Sequence, residues 1–590
     1  MYREEFYNGV MKENTLFPGL SVNEARERTI KALSEQGGAW GGRMYELEPR
    51  NVFTRSGNPV IAAVIKDQWF LNYGNPEWKA KAFKCLNSMR IIPEKYRKNF
   101  EDVFNWLSMR PCARKRGGLG TRLPWDPDWI IESLSDSTIY MAYYTIAHKI
   151  RSSGLDKKLG DYAKRVIGSK GNDKEALDAI MAFFNYVFLG EGDPGRVAEV
   201  FGVDKELIED MRREFDYWYP VDERHSGPPD LISSHLSFFV FHHVAIFPPE
   251  KYWPRAITFN EYVIREGMKM SRSLGNVLPL PYIPRKYSTD LARLYLASAT
   301  DLDSTLDWRE DDVASVASRL VRFWSLANEI IKEGGRPLVN VDVRNASLIT
   351  QWLISKVNRA IRDSAIDMDN ENIRGGYTLK AFFDLLSSVE KYLEIAGIIN
   401  VSRDEVKWAL WYILERWVKL LQPVMPHIAE ELWHRMGNNT FVSLEPWPEY
   451  SEELINDELD IALDLIERAV EDVQEILRVT KIMPKSVYLY VGPPSEYYQI
   501  VNEAIRLINE GKTMGEAIRA IVGKPEYRRM ADRVANLVSK VVDGTIPRKI
   551  VSREMELRVF RELSSYIKSR IGAEVIIQDA TSPTYDPGNS

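Results

Sequence analysis

The sequence predicts an α/β part, then an all-α helical bundle, then a small α+β domain. Three observations carry this. Residues 67–310 mix helical stretches, short apolar strands and long loops, as in an α/β domain with functional loops at strand ends. Apolar residues then recur at helical spacing, in Ile349, Leu353, Val357 and Ile361 and again in Val406, Leu410, Ile413, Leu414, Trp417 and Leu421, the mark of a bundle. After Pro446-Trp447-Pro448, two β-rich runs, Val487 to Val491 and Glu574 to Ile577, bracket helical sequence. At 590 residues the chain holds roughly three to five domains.

Taken in order, residues 1–48 read as a short helix, a turn at Pro18-Gly19 and a second helix opened by the capping pattern Ser21-x-x-Glu24. Residues 49–66 read as a hairpin turning at Ser56-Gly57-Asn58-Pro59. The α/β part, 67–310, contains the loops Arg110 to Asp128 and His225 to His235. Its apolar run Leu236 to Phe241 leads to a Pro-bounded segment and then to the loop Lys269 to Asn276. The bundle, 311–450, has a second capping pattern, Ser402-x-x-Glu405. The α+β domain, 451–578, begins with a long helix from about Glu452 to Val479, and the polar tail 579–590 reads as disordered.

Composition narrows the function. A net charge of -6 disfavours a protein that merely coats nucleic acid, although basic groups gathered on one face would still serve RNA. The two cysteines, Cys85 and Cys112, form no CxxC pair and suit a reducing, cytoplasmic setting. No apolar run reaches the about 18–20 residues of a membrane span, and Met1-Tyr2-Arg3-Glu4-Glu5 lacks a signal peptide's apolar core.

The most informative segment is Gly267-Met268-Lys269-Met270-Ser271-Arg272-Ser273-Leu274-Gly275-Asn276. Two cations three apart, interleaved with hydroxyls, can wrap a triphosphate and neutralise charge on its β and γ phosphates. On charge spacing alone, a solvated basic turn fits the segment better. Of the imidazoles, His242 and His243 lie in an apolar run and read as packing or polar-core groups.

Lys269 to Ser273 resembles the KMSKS signature of class I aminoacyl-tRNA synthetases, and Leu274-Gly275-Asn276 extends the match. Further segments resemble archaeal and eukaryotic leucyl-tRNA synthetases: Lys66 to Leu71, Leu123 to Pro127, Ile131 to Tyr140, Tyr219 to Asp222, Arg224 to Gly227, His243 to Phe247 and Asp307 to Glu310. The resemblance covers nearly everything up to about residue 450, and Ser133 to Tyr140 fits leucine better than valine or isoleucine. It implies the second half of a Rossmann-like nucleotide-binding domain, an anticodon-binding bundle and a small tRNA-contact domain. It also implies ATP with Mg2+, leucine and tRNA-Leu as reactants.

By that resemblance Lys269 and Arg272 act on the pyrophosphate leaving group, while Met270, Ser271, Ser273 and Asn276 line ATP. Arg272 stands where the signature has a second Lys, and its planar fork is not equivalent to an ammonium. Gly227, Asp230 and His235 resemble the ribose- and adenine-binding loop, with Pro228-Pro229 as a local insertion; a rigid surface loop reads as well. Thr54 and Ser56 stand where a zinc ribbon has cysteines, and hydroxyls are poor zinc ligands, so no zinc is expected. Gln422 to Trp433 resembles the anticodon-binding domain, with a structural part for Pro426, Leu432 and Trp433. In the last domain Arg528 and Arg529, beside Lys524, and Arg548, Lys549 and Arg553 would meet tRNA phosphates, or form solvated faces.

The histidines, at 148, 225, 235, 242, 243, 427 and 434, make no His-x-Gly-His, the other signature of the class, and residues 1–48 resemble only the exit of an editing domain. Three readings follow: a subunit needing a separate protein partner that carries that signature, an inactive paralogue that binds tRNA or protein, or a truncated product. A half nucleotide fold would expose sheet edges, which predicts a partner over residues 67–150 or poor stability alone.

Overall fold

The structure, a computed structural model, describes residues 9–35, 52–54, 56–60, 66–115, 120–272, 275–333, 336–337, 340–370, 372–492, 496–546 and 551–580. The chain divides into two units, 1–69 and 70–590. In the first, α1 (Val22–Glu35) opens with the expected capping box: Ser21 N and Oγ both donate to Glu24 Oε2, and Glu24 N donates to Ser21 Oγ. The helix expected before it is not found in residues 9–21. There Gly19, at φ +80°, turns the chain so that Val10 bridges Ser21; the rest of that expectation lies outside the described residues. Residues 52–54 and 56–60 belong to a tight turn, with Phe53 bridging Pro59 and Gly57 at φ +82°.

The second unit begins with β1 (Phe70–Asn72), α2 (Pro76–Ser88), β2 (Arg90–Ile92), α3 (Arg97–Trp106) and β3 (Met109–Pro111), β1 and β3 being antiparallel partners. Next, β4 (Ala113–Arg114), β5 (Arg122–Leu123) and β6 (Asp126–Ile131) make a small antiparallel sheet over Trp129. Helices α4 (Leu155–Gly168), α5 (Lys174–Phe184), α6 (Pro194–Phe201) and α7 (Lys205–Trp218) lead to β7 (Arg224–Ser226), α8 (His235–Ile246) and β8 (Ala256–Phe259). Strands β2, β8 and β7 form a parallel sheet in that order, with Ile91 opposite Ile257 and His225 opposite Thr258. Parallel pairing needs long crossovers, and here the helical stretches supply them.

The apolar run of α8 is buried from His235 to Val244, on all sides. A helix without a wet face carries no 3.6-residue polar stripe, so periodicity could not separate it from a strand. It packs on α2, where Trp78 Nε1 donates to Phe241 O at 2.7 Å and Tyr73 stacks on Phe238. His242 lies between Tyr73 Oη (2.8 Å) and Thr138 Oγ1 (2.7 Å). His243 Nδ1 must donate to the Phe239 carbonyl at 2.7 Å, so its Nε2 accepts from Tyr219 Oη at 2.5 Å. Burial pushes both imidazoles down to about 4.

β9 (Val263–Arg265), β10 (Met268–Lys269), α9 (Thr289–Ser298) and β11 (Leu306–Trp308) join this part to the bundle of α10 (Glu310–Lys332), α11 (Leu348–Asp369), α12 (Leu385–Ile398), α13 (Arg403–Leu421) and α14 (Pro426–Arg435). The predicted apolar faces are buried, with Ile349, Leu353, Val357 and Ile361 on α11 and Leu410, Ile413, Leu414, Trp417 and Leu421 on α13, while Val406 in the first turn of α13 is only half-buried. Only half of the second capping box forms. Ser402 Oγ accepts from Glu405 N, but the Glu405 carboxylate turns to Ser347 N and Oγ and braces the start of α11. A wide-turned segment, Ile373–Asp384, precedes α12, and Gly376 lets it pass Asp367, whose Cγ a Cβ would meet at 2.4 Å.

The long helix predicted after Pro448 is α15 (Asp457–Thr480), followed by β12 (Ser486–Val491), α16 (Glu496–Asn509), α17 (Met514–Val522), α18 (Ala531–Val542), α19 (Arg553–Glu562), α20 (Ser564–Ile571) and β13 (Glu574–Asp579). β12 and β13 pair in parallel, and their core runs continuously into the bundle, whereas α16, α17 and α18 close a core of their own. Of the tail expected to be disordered from Asp579, the first two residues are ordered. Asp579 belongs to β13 and Ala580 N donates to Val491 O; residues 581–590 lie outside the described residues. Among the described residues no helix is long and apolar enough to cross a membrane.

Candidate functional site

The chain leaves β8 through Asn260, Glu261 and Tyr262, which are held from several directions. Glu261 N donates to Leu302 O at 3.1 Å, its carboxylate accepts from the Tyr96 hydroxyl, and Leu306 N donates to Tyr262 O at 2.9 Å. The β9–β10 hairpin follows, with Met268 opposite Arg265. Its two turn residues, Glu266 and Gly267, have φ of +48° and +74°, the double left-handed pair that a tight hairpin of this twist demands.

That turn is fastened to the start of the bundle. Gly267 N donates to both carboxylate oxygens of Asp307 at 3.0 Å, and Glu310 N donates to Glu266 Oε1 at 3.0 Å. Asp307 sits on β11, parallel to β9, and also accepts from Arg309 Nε at 2.7 Å. The Gly267 N–H and then Arg309 hold its carboxyl below the ordinary range. Glu310 gathers Tyr287 Oη (2.6 Å), Lys286 Nζ (3.0 Å) and Arg265 Nη2 (3.3 Å). Burial alone would raise the Glu310 pKa, but these donors outweigh it and lower it.

The predicted phosphate loop hangs from this hairpin. Asn276 closes it: Oδ1 accepts from Ser271 N at 2.7 Å and Nδ2 donates to Lys269 O at 3.1 Å. Asn276, expected among the ATP-lining groups, thus spends its amide on folding the loop. Gly275, at φ +66°, donates to Arg272 O at 3.3 Å. Lys269 and Arg272 are exposed and Met270 is half-buried. Ser273 lies outside the described residues.

The second predicted loop divides. Pro229–Ser233 is a single tight helical turn in which Asp230, exposed, accepts from the Tyr262 hydroxyl through Oδ2. The Lys269 ammonium lies 5.0 Å from the centre of the same Tyr262 ring. Asp230 and Lys269, 39 positions apart in the sequence, therefore meet on one tyrosine. His235 goes elsewhere. It is 9% exposed, and its Nε2 lies 3.3 Å from Arg224 Nη2. A guanidinium only donates, so this nitrogen accepts and the ring is neutral. Burial and then the Arg224 charge lower its pKa, in agreement. Arg224 Nη1 also donates to Tyr140 Oη at 3.1 Å. A Cβ on Gly227 would meet nothing within 4 Å, so the glycine leaves open space.

The Gln422–Trp433 motif docks on α9. Pro426 heads α14, and Leu432 and Trp433 are buried, as expected from sequence. Sequence did not indicate that Asp290, 2% exposed, would accept from Ile428 N (2.6 Å) and hold His427 Nδ1 (2.8 Å), nor that Arg293 would donate to the Val424 and Pro423 carbonyls. Among the C-terminal cations, Arg528 and Arg529 are exposed beside α18, and Lys524 pairs with Glu503 at 3.0 Å. Arg553 is not a free cation: it pairs with Asp579 and donates to Gly492 O, tying β13 to the end of β12. Arg548 and Lys549 lie outside the described residues. At the zinc-ribbon position, Thr54 Oγ1 and Ser56 Oγ bond to each other at 2.9 Å.

The arrangement presents two exposed cations on a braced hairpin, a carboxylate tethered beside one of them and an open glycine, which suits a phosphorylated nucleoside. Tyr262, Asp307, Glu310 and Arg224 were not assigned such supporting parts from sequence. Arg224, Asp307 and Glu310 did lie in segments that resemble the family, but no spacing rule reveals a tyrosine that works through space.

Comparisons with known proteins relate the chain to tRNA synthetases. Residues 204–325 match the family described as tRNA synthetases class I (M), and residues 350–489 match the anticodon-binding domain of tRNA ligase. The chain is 41% identical over 578 residues to the leucine–tRNA ligase of Staphylothermus marinus, covering 98% of this chain and 55% of that protein. It is 40% identical over 566 residues to that of Ignicoccus hospitalis, covering 94% and 52%. With the Archaeoglobus fulgidus enzyme the values are 39% over 585 residues, 99% and 57%. The chain thus spans about half the length of these relatives. Among solved structures, Mycobacterium tuberculosis methionyl-tRNA synthetase bound by methionyl-adenylate matches loosely, at a TM-score of 0.42 and 15% identity over 64% of each chain. With a class I synthetase match that includes the Lys269 hairpin, an anticodon-binding match over the bundle and about 40% identity along nearly all of its own length, the chain is a homologue of archaeal leucine–tRNA ligases.

Proposed function

We propose that this chain supplies the pyrophosphate-side part of an ATP-dependent, leucine-activating site and serves the charging of tRNA-Leu in the cytoplasm. In that reaction a leucine carboxylate oxygen attacks the α-phosphorus of ATP and the α–β bridging bond breaks. Leucyl-adenylate forms and Mg2+-bound pyrophosphate leaves. A terminal ribose hydroxyl of tRNA then attacks the leucyl carbonyl, and AMP leaves with the electron pair. The observation that carries this reading is the loop clamped by Asn276, with Lys269 and Arg272 exposed on a hairpin braced by Asp307 and Glu310. Cations so held neutralise charge developing on the leaving group with little reorganisation.

The His-x-Gly-His part of the site comes, in this reading, from residues outside this sequence. Among the described residues β2 and β7 are the outer strands of their sheet, and the rest of the nucleotide fold would build on their edges. A second reading, a chain that binds tRNA or protein without ligating, draws on the Pro228-Pro229 insertion and on Asp230, which bonds to Tyr262.

Leucine-dependent exchange of pyrophosphate into ATP separates the two. Under the first reading the chain is silent alone and active with lysate of its source organism. Silence in both, with tRNA retained on a filter, favours the binding paralogue. Exchange by the chain alone would refute the need for a second part.

A further inference from the structure

We propose that Tyr262 is a positioning residue that couples the ribose-side acid Asp230 to the phosphate-side cation Lys269, an inference that rests on the ATP-binding reading above. Its hydroxyl donates to Asp230 Oδ2, and its ring carries the Lys269 ammonium at 5.0 Å. Its backbone is fixed where the chain leaves β8, by Leu306 on one side and by the Leu302 and Tyr96 contacts of Glu261 on the other. The Asp230 and Lys269 backbones are held only locally, the first on an exposed turn by Ser233 Oγ at 3.0 Å and the second at the end of a two-residue strand by Ile264 and Asn276, so the contact through Tyr262 is what relates their two side chains.

The phenol does two separable things. By occupying one carboxylate oxygen, it directs the other toward a ribose hydroxyl donor. By standing between opposite charges, it keeps the carboxylate from capturing the ammonium. A cation over an exposed ring is held weakly, so phosphate oxygens can draw the ammonium away when nucleotide arrives. The hydroxyl thus serves the nucleoside end and the ring serves the phosphate end.

Equilibrium dialysis of the full chain with ATP and with adenosine tests this, using Tyr262→Phe, Tyr262→Leu, Asp230→Asn and the Tyr262→Phe/Asp230→Asn double variant. Tyr262→Phe keeps the ring and loses the hydroxyl. It should weaken ATP and adenosine by the same factor, about fivefold, as expected for a solvent-accessible hydrogen bond to a charged group. Tyr262→Leu should weaken ATP by about a further threefold and leave adenosine at the Tyr262→Phe level, the size of an exposed cation–ring contact. Asp230→Asn should reproduce the Tyr262→Phe loss, and the double variant should lose no more than either. Additive losses, or Tyr262→Phe and Tyr262→Leu binding ATP equally, would overturn the coupling. If the wild-type chain binds adenosine and ATP but no variant changes either, Tyr262 has no such part. If wild type binds neither nucleotide even at millimolar concentration, where the contacts supplied by this chain alone should register, the ATP-binding reading falls and takes the coupling with it.

Discussion

Lowering the pH from 7.5 to 5.0 should loosen the α/β part around α8, because two neutral imidazoles are buried there. His242 is 7% exposed and His243 fully buried, and both titrate near 4 against 6.5 for a free imidazole. A lowered imidazole pKa means that the unfolded state binds more protons than the folded one between these values. Stability is therefore fully present above about pH 6.5 and is lost as pH falls toward 4. At pH 5.0 an unfolded imidazole is almost fully protonated, whereas the buried one remains about nine-tenths neutral, and the difference integrates to about 2 kcal/mol per ring. Both rings together should lower protection of the α8 amides by about 4 kcal/mol. Hydrogen exchange of α8 peptides at the two pH values, corrected for intrinsic rates, reads this directly. Replacing both histidines by glutamine should lower protection at pH 7.5 and flatten its pH dependence. Equal protection of the wild type at pH 7.5 and 5.0 would refute the reasoning.

Three further outcomes follow from the geometry. Gly376→Ala should destabilise the bundle by about 1–3 kcal/mol, because its Cβ would meet Asp367 Cγ at 2.4 Å; urea unfolding measures it. Glu310→Gln weakens the partners of Tyr287, Lys286 and Arg265 together, so pyrophosphate exchange in the complemented system should fall by about tenfold while the leucine KM holds. If Arg528 and Arg529 meet tRNA phosphates, replacing either with Ala should reduce the slope of log affinity against log salt by about 1; an unchanged slope marks a solvated face.

Some of this protein was legible in its sequence for identifiable reasons. The bundle was, because α11 and α13 each keep one apolar face at helical spacing, and Ser21 with Glu24 announced α1 through two reciprocal bonds. The helical nature of α8 was not, since burial on every side erases the pattern that separates helix from strand. Ser402-x-x-Glu405 looked like a local cap, yet Glu405 found a stronger demand at Ser347, which only the tertiary structure brings near. In the candidate site, the motif located Lys269 and Arg272 but not what holds them. Tyr262 joins Lys269 to Asp230 across the fold, and Asp307 and Glu310 reach the hairpin from 40 and 44 positions away. Arg553 looked like part of a basic cluster until Asp579 closed on it from β13.

The central claim is that the Lys269 loop is the leaving-group side of an adenylating site. The direct measurement is leucine-dependent pyrophosphate exchange by the complemented system, with wild-type chain against Lys269→Ala. Losing one preorganised charge at the leaving group should cut the rate by about a hundredfold or more, with leucine binding unchanged. Exchange that proceeds at the wild-type rate without Lys269 would contradict it.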